Sequence, residues 1–174
     1  MSTQPYKKLA WLNELPTAKA EAAFLDCCGS REWAKAMTTA RPFPMLDNLF
    51  TTAENVWFSL PISEHLEAFA AHPKIGSKKR SESQNNRSAG WSKNEQFGMN
   101  EADRQVRDSF AEANRLYQDK FGFIFIVCAT GRTAAEMLAL CRARLNNSVQ
   151  TELQIAAEQQ QKITEIRLTK LLER

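Results

Sequence analysis

From Thr133 to Leu172 the chain reads "TAAEMLALCRARLNNSVQTELQIAAEQQQKITEIRLTKLL", with apolar side chains every three or four residues. Thr133 and Glu136 stand at the spacing of a capping box, in which each side chain accepts a hydrogen bond from the other residue's backbone N–H. One helix is therefore predicted to begin there, and a second to run from about Val149 to Leu172. Two successive helical segments indicate a helical protein.

Helical periodicity also dominates the N-terminal part of the chain, where glycine and proline interrupt it at short intervals. A helix is predicted over Thr17–Cys28, with Ala22, Leu25 and Cys28 on one side and Gly29 placed to end it. Ser30 is placed to cap the next helix, which closes before "RPFP". Two further helices are predicted over 46–60 and 61–72.

The middle of the chain contains a long polar stretch, Gly76–Gly98, which has no sustained apolar period and is predicted to be a loop. Asn100 offers a cap for a long helix that runs to about Lys120. The segment Phe121–Cys128 is strand-like, but a lone strand has no partner, so it is interpreted as a buried extended connector or a helix start. The whole pattern predicts an all-α, single-domain bundle of about seven to eight helices over residues 1–174, with one long polar loop.

Composition limits the classes of function. The chain is 43% hydrophobic and its formal net charge is only +3, with both signs mixed through the helices, so nucleic-acid binding is not expected. Its longest apolar run, "FGFIFIVCA" from Phe121 to Ala129, is too short to cross a bilayer as a helix, so no membrane association is expected. The N-terminus lacks the apolar stretch of a secretory signal, and "LLER" is not a peroxisomal address; a cytoplasmic location is expected.

The four cysteines have no Cys-x-x-Cys spacing, and only two histidines accompany them, so no zinc or other metal site is expected. Cys27 and Cys28 lie inside an apolar pattern. They are interpreted as small core residues, and the alternative is a redox or nucleophilic role, which would require an electropositive, accessible setting.

His72 stands where a helix is predicted to stop, because Pro73 disfavours helical geometry at the residue before it. The unpaired carbonyls and the negative dipole at a helix C-terminus favour imidazolium, so His72 can carry a transferable proton. The alternative is that His72 only satisfies those carbonyls. His65, the other histidine, is interpreted as a surface or packing residue.

Two charged side chains are further candidates. Glu95, next to Gln96 in the polar loop, is either a solvated charge or a carboxylate held inward by the apolar residues that follow it. Arg167 lies on or beside the apolar stripe of the last helix, where it either meets an anionic partner or extends to water. The stripe consists of Val149, Leu153, Ala156, Gln160, Ile163 and Arg167. An imidazole, a carboxylate and a guanidinium together would suit proton transfer on a small anionic substrate.

Four motifs carry a family resemblance: "HPKIG" (His72–Gly76), "SKNEQFGM" (Ser92–Met99), "KFGFIFIVCATGRT" (Lys120–Thr133) and "EIRLTKLL" (Glu165–Leu172). With "AEAAFLDCCGSREWAKAM" and "RPF" nearer the N-terminus, the chain resembles the 2-oxo-4-hydroxy-4-carboxy-5-ureidoimidazoline decarboxylases of urate degradation over nearly its whole length. The resemblance implies an all-helical enzyme without a cofactor. Such an enzyme converts the ureidoimidazoline to (S)-allantoin with loss of carbon dioxide, and the resemblance suggests a homodimer.

The same resemblance assigns residues to roles. His72, Glu95 and Arg167 match the catalytic set, in which the arginine holds the anionic substrate. We expect Glu95 to orient or deprotonate the substrate hydroxyl and His72 to donate a proton to one face. Backbone N–H groups near the connector are expected to help bind the substrate. The implied substrate-binding residues are Pro73, Ser92, Lys93, Asn94, Gln96, Phe123, Phe125, Ile126 and Val127. In the connector, Ile124 replaces the proline of the family's "FGFPF" form.

Two alternatives remain open from the sequence. One is an all-α interaction module whose polar loop binds a partner and whose histidine is structural. The other is a related enzyme that acts on a different ureido or ring acid.

Overall fold

Helices make up most of the chain in the computed structural model, which describes residues 4–75, 90–91 and 103–173. The described residues contain eight helices of nine residues or more and no β-strand, so the predicted all-α class is confirmed. The helices are α1 (Gln4–Glu14), α2 (Thr17–Cys28), α3 (Arg31–Thr39), α4 (Leu46–Ser59), α5 (Ile62–Ala70), α6 (Arg104–Phe121), α7 (Ala134–Arg144) and α8 (Val149–Glu173). Most of the predicted polar loop lies outside the described residues.

The chain divides into two compact units. The N-terminal unit consists of Met1–Ala68 with Gln161–Arg174, and the central unit consists of Phe69–Gln160. Helix α8 therefore contributes its first part to the central unit and its last part to the N-terminal unit. The single domain over residues 1–174 stays a prediction.

The predicted boundary between α2 and α3 is confirmed. Gly29 ends α2 in the left-handed conformation, at φ 89°, which glycine adopts without a steric penalty. The Ser30 side chain then accepts a hydrogen bond from the Trp33 backbone N–H at 3.1 Å, which caps α3. The Trp33 indole in turn donates to the Ala53 carbonyl at 3.0 Å and so fixes α3 against α4.

The side of α2 that carries Ala22, Leu25 and Cys28 is only partly the side that is buried. Ala22 is exposed and Leu25 is only partly buried, whereas Cys28 is buried. Phe24 and Cys27 are fully buried instead. The Phe24 ring meets the Trp33 ring edge-on at a centroid distance of 5.9 Å. The largest side chain of α2 thus sets its orientation, because an aromatic ring buries far more area than alanine.

Helix α1 was not among the predicted helices. Its Leu9 and Leu12 are buried on one side of the helix. The "RPF" segment packs against its C-terminal end: Arg41 donates to the Leu12 carbonyl at 2.9 Å, where a cation complements the helix dipole. Asn13 and Phe43 exchange two hydrogen bonds, each of 2.9 Å, between the Asn13 amide and the Phe43 backbone. The "RPF" motif, which is part of the family resemblance, therefore has a structural role at the C-terminal end of α1.

In the central unit, the start of α6 differs from the prediction. Asp103, not Asn100, caps the helix and accepts a hydrogen bond from the Val106 backbone N–H at 2.8 Å; Asn100 lies outside the described residues. Both residue types are good caps, so only the geometry selects between them. Helix α6 ends at Phe121, and Gly122 follows it in the left-handed conformation, at φ 79°.

The remaining elements of the central unit follow the sequence closely. Residues 122–129 have no helix or strand, and most of their side chains are buried, as expected of an extended connector. Below, "connector" means Phe123–Val127, the central part of the predicted segment Phe121–Cys128. The Thr133 backbone N–H donates to the Glu136 carboxylate at 2.7 Å, and the Glu136 N–H donates to the Thr133 hydroxyl at 3.2 Å, so the capping box is confirmed.

Candidate functional site

His72 lies just beyond the end of α5, as predicted. The helix ends at Ala70, and the His72 backbone N–H makes a last hydrogen bond to the Phe69 carbonyl at 3.2 Å. Pro73 follows and is partly buried, and the buried Ile75 anchors the turn to the core. The imidazole is therefore mounted on a short, constrained segment.

The His72 ring makes a close contact with the last helix. Its Nε2 atom lies 2.7 Å from Oε1 of Gln160, and both residues belong to the central unit. Gln160 has no exposed surface. Sequence reasoning named Gln160 as a member of the apolar stripe but gave it no role. The only signal was a polar residue at a buried helix position, and such a group normally needs a hydrogen-bond partner.

The other histidine, His65, has a packing role, in agreement with the prediction. Its ring lies over the Trp57 indole at a centroid distance of 4.2 Å, and its Nε2 is 2.9 Å from the Trp57 carbonyl. A carbonyl can only accept, so this nitrogen carries a proton.

The connector lies beside the mounting of His72. The Phe69 ring, three residues before His72, packs on the Phe123 ring at 5.4 Å between centroids. All four connector residues that the resemblance assigned to substrate binding are buried: Phe123, Phe125, Ile126 and Val127. Asn114 of α6 donates to the Ile75 carbonyl at 3.2 Å. His72, Pro73 and the connector are thus parts of one packed unit.

A buried ion pair between Arg144 and Glu152 holds the connector in place. Arg144 donates to the Ile126 carbonyl at 2.8 Å, and its guanidinium lies over the Phe125 ring at 4.6 Å. Arg144 also pairs with the fully buried Glu152, to which its Nε donates at 2.6 Å. Glu152 accepts a further hydrogen bond of 2.5 Å from the Tyr117 hydroxyl. Burial and the bond to Glu152 raise the pKa of Tyr117 well above its ordinary value, so the phenol remains a donor. Sequence reasoning missed this network.

The backbone after the connector is held by α8. The Cys128 N–H donates to Oε1 of Gln159 at 3.0 Å. Backbone N–H groups near the connector were expected to bind the substrate. The Cys128 N–H is engaged with Gln159 instead.

Arg167 lies in the N-terminal unit and is only 3% exposed, which rules out the alternative that it extends to water. One guanidinium nitrogen donates to the Asp26 carbonyl of α2 at 3.5 Å. Its positive charge also acts on the nearby Cys28 thiol. A buried guanidinium is costly unless charge and hydrogen bonds compensate it.

The remaining predicted residues fall outside the described part of the chain. Ser92, Lys93, Asn94, Glu95 and Gln96 are not among the described residues. The predicted convergence of His72, Glu95 and Arg167 on one molecule therefore stays a prediction.

The cysteines favour the core interpretation. None of the four is in a disulfide, and Cys27, Cys28 and Cys141 are buried. Burial raises the pKa of Cys28 to about 12 and that of Cys141 to about 11. Both therefore remain thiols near neutral pH, and a thiol is a poor nucleophile.

Thiol labelling tests this interpretation. At about pH 8, iodoacetamide is expected to modify the partly exposed Cys128 first and to leave Cys28 unmodified in the folded protein, because only an accessible thiolate reacts. Mass spectrometry of the peptides measures the order, and the denatured protein, in which all four cysteines should react, is the control. Modification of Cys28 as fast as Cys128 would restore the nucleophilic alternative.

Across residues 4–75, 90–91 and 103–173, no three or more His, Cys, Asp or Glu side chains are grouped as a metal ion would require. Over the same residues, no helix combines the length and the apolar character of a membrane span.

The sequence is similar to those of known proteins. A family model described as OHCU decarboxylase matches residues 13–169. The chain is 46% identical over 149 residues to the "Uric acid degradation bifunctional protein TTL" of Arabidopsis thaliana, covering 83% of this chain and 45% of that protein. It is 24% identical over 161 residues to the 2-oxo-4-hydroxy-4-carboxy-5-ureidoimidazoline decarboxylase of Haloferax volcanii, covering 92% of this chain and 93% of that protein. The chain spans less than half the length of the bifunctional relatives that it matches.

A solved structure is similar over almost its full length. The fold matches a crystal structure of OHCU decarboxylase in the presence of (S)-allantoin with a TM-score of 0.75 and 40% sequence identity. The match covers 87% of this chain and 97% of that chain.

Proposed function

The chain belongs to the OHCU decarboxylase family, and from this premise we propose that it decarboxylates 2-oxo-4-hydroxy-4-carboxy-5-ureidoimidazoline to (S)-allantoin in urate degradation. One observation carries the proposal. A relative that is 40% identical and is matched over 97% of its length is an OHCU decarboxylase whose structure was solved in the presence of (S)-allantoin. The substrate is thus a small anionic ring that bears a ureido group.

The reaction sets clear demands on the protein. The bond between the ring and the carboxylate breaks, carbon dioxide leaves, and its electron pair stays on the ring. The substrate hydroxyl loses its proton as it becomes a carbonyl, a ring nitrogen takes up a proton, and a ring carbon gains another proton from one face, so the carboxylate form of the substrate consumes one proton overall. The protein must therefore stabilise the developing negative charge and deliver one proton stereospecifically.

We assign the delivery of the proton to His72. The turn that carries it is fixed by Pro73 and by the buried Ile75, and its ring is held by the contact of 2.7 Å with Gln160. A fixed imidazole at a helix end can donate a proton near neutral pH. Delivery from a fixed group to one face would give a single enantiomer.

We assign the binding of the anionic substrate to Arg167, because its guanidinium is buried and presents a planar set of donors that matches a carboxylate. Glu95 is proposed to orient or deprotonate the substrate hydroxyl. Binding contacts are proposed for Pro73, for the segment Ser92–Gln96 and for the connector residues Phe123, Phe125, Ile126 and Val127, because these positions match the motifs that carry the family resemblance. The homodimer and the cytoplasmic location are likewise proposals that rest on the resemblance.

A coupled assay tests the proposal. Urate, urate oxidase and hydroxyisourate hydrolase generate the unstable ureidoimidazoline, and optical rotation follows its conversion. Added protein is expected to accelerate the appearance of dextrorotatory allantoin well beyond the reaction that lacks it. A rate equal to the spontaneous one would contradict the proposal and would favour an interaction module or an enzyme for another ureido acid.

A further inference from the structure

Gln160 is a buried polar side chain with a specific partner. It lies in the middle of α8, has no exposed surface and places Oε1 2.7 Å from Nε2 of His72. The two residues are 88 positions apart in the sequence. Burying an amide is unfavourable unless it is hydrogen-bonded, so the bond to His72 offsets a cost that a leucine at this position would not carry.

The chemistry of this bond restricts the histidine. An amide oxygen can only accept a hydrogen bond, so the Nε2 atom that faces it must carry a proton. In a neutral imidazole one nitrogen is a donor and the other an acceptor. A proton held on Nε2 therefore makes Nδ1 the nitrogen that gains and loses a proton.

The neighbours of Gln160 show that this contact is specific. Gln159 accepts from the Cys128 N–H at 3.0 Å, so it holds the backbone after the connector and not the histidine. Gln161 is also buried, yet within the described residues its Oε1 has no hydrogen-bond partner, and its Nε2 bonds only to Glu165 of the same helix at 3.3 Å. Gln161 is therefore a matched control for the loss of a buried amide on the same helix.

We propose that Gln160 is a positioning residue that keeps a proton on Nε2 of His72, so that Nδ1 is the atom that exchanges a proton with the substrate. The part of this inference that concerns the substrate rests on the proposed function, whereas the state of the ring does not. Gln160 itself need not touch the substrate. Its role is to fix both the orientation and the tautomer of the group that does.

Nitrogen-15 NMR of histidine-labelled protein tests the state of the ring directly. The His72 signals are assigned by their loss in His72→Asn, and spectra are recorded at a pH where the ring is neutral. The Nε2-protonated tautomer is expected for the wild type and for Gln161→Met, and a mixture of tautomers for Gln160→Met. An Nδ1-protonated ring in the wild type would mean that the amide nitrogen faces His72, and it would overturn the inference, as would an unchanged spectrum in Gln160→Met.

Kinetics in the coupled assay test the consequence. Gln160→Met is expected to lower kcat about tenfold with KM within about twofold, because a misplaced catalytic group loses turnover more than binding. Gln160→Glu, which keeps an acceptor oxygen at the same place, is expected to restore most of kcat and serves as the test variant if Gln160→Met does not fold. Gln161→Met should match the wild type.

The outcomes separate this inference from the proposed function. If His72→Asn retains full activity, the catalytic assignment of His72 fails. The NMR spectra still show, independently of activity, whether Gln160 keeps the proton on Nε2 of His72. If His72→Asn is inactive but Gln160→Met and Gln161→Met have equal kcat, the proposed function survives and the positioning role is overturned.

Discussion

Replacing His72 with alanine is expected to lower the rate of (S)-allantoin formation by about 10²- to 10⁴-fold, the usual contribution of a general acid or base. The physical reason is that the ring carbon must receive its proton from a fixed donor, and no methyl group can supply one. The measurement is the coupled assay with optical rotation, together with a thermal melt. The melting temperature is expected to fall by several degrees, because the buried Gln160 amide loses its bond to the imidazole.

The chain supplies its own control for this substitution. His65 packs on Trp57 in the N-terminal unit, and His65→Gln removes the other imidazole while keeping a hydrogen-bonding side chain. That variant should retain activity close to the wild type. If His72→Ala also retained activity within about threefold of the wild type, the alternative that His72 only completes the end of a helix would be correct.

The features that the sequence predicted well are local ones. Gly29, Ser30 and the Thr133–Glu136 pair were all identified from residue type at a fixed spacing, and each performs the predicted capping role. Caps can be predicted because their partners lie within a few residues, so chain topology does not enter. The connector was predicted by a different argument: no second strand was available to pair with it.

The features that the sequence did not predict depend on distant partners. Arg144 contacts the Ile126 carbonyl across 18 positions, and Gln160 contacts His72 across 88. Residue type alone could identify neither pair, because a buried polar residue shows only that some partner exists. The orientation of α2 could not be predicted for a similar reason, since the burial of Phe24 depends on where Trp33 lies.

The proposed site contains both kinds of feature: some could be predicted from the sequence, and others depend on distant partners. The motifs identified His72 and Arg167 as candidates, and the structure shows each in a constrained setting: one mounted on a short turn, the other buried beside α2. The sequence could not show that a glutamine holds the histidine. It also left open whether Arg167 extends to water, a question that burial answers because extension requires exposed surface.

Replacing Arg167 with methionine is expected to lower kcat/KM by about 10²- to 10³-fold, which corresponds to roughly 3–4 kcal/mol, as expected for a buried charge that loses its partner. The physical reason is that the substrate carboxylate would enter a buried setting without its counter-charge. Most of the effect should appear in KM if Arg167 binds substrate and transition state equally. Arg167→Lys keeps the charge but loses the planar donor set, so it should recover only part of the activity.

The competing explanation is that Arg167 only stabilises the N-terminal unit through the Asp26 carbonyl, to which it donates at 3.5 Å. Lys162→Met is the matched control, because it removes one exposed positive charge from the same helix and should leave kcat/KM within about twofold of the wild type. Activity must be compared at a temperature where the thermal melt shows every variant to be folded. A folded Arg167→Met protein with kcat/KM within about threefold of the wild type would show that the arginine is structural, since a buried anion left without its counter-charge cannot bind at nearly full strength.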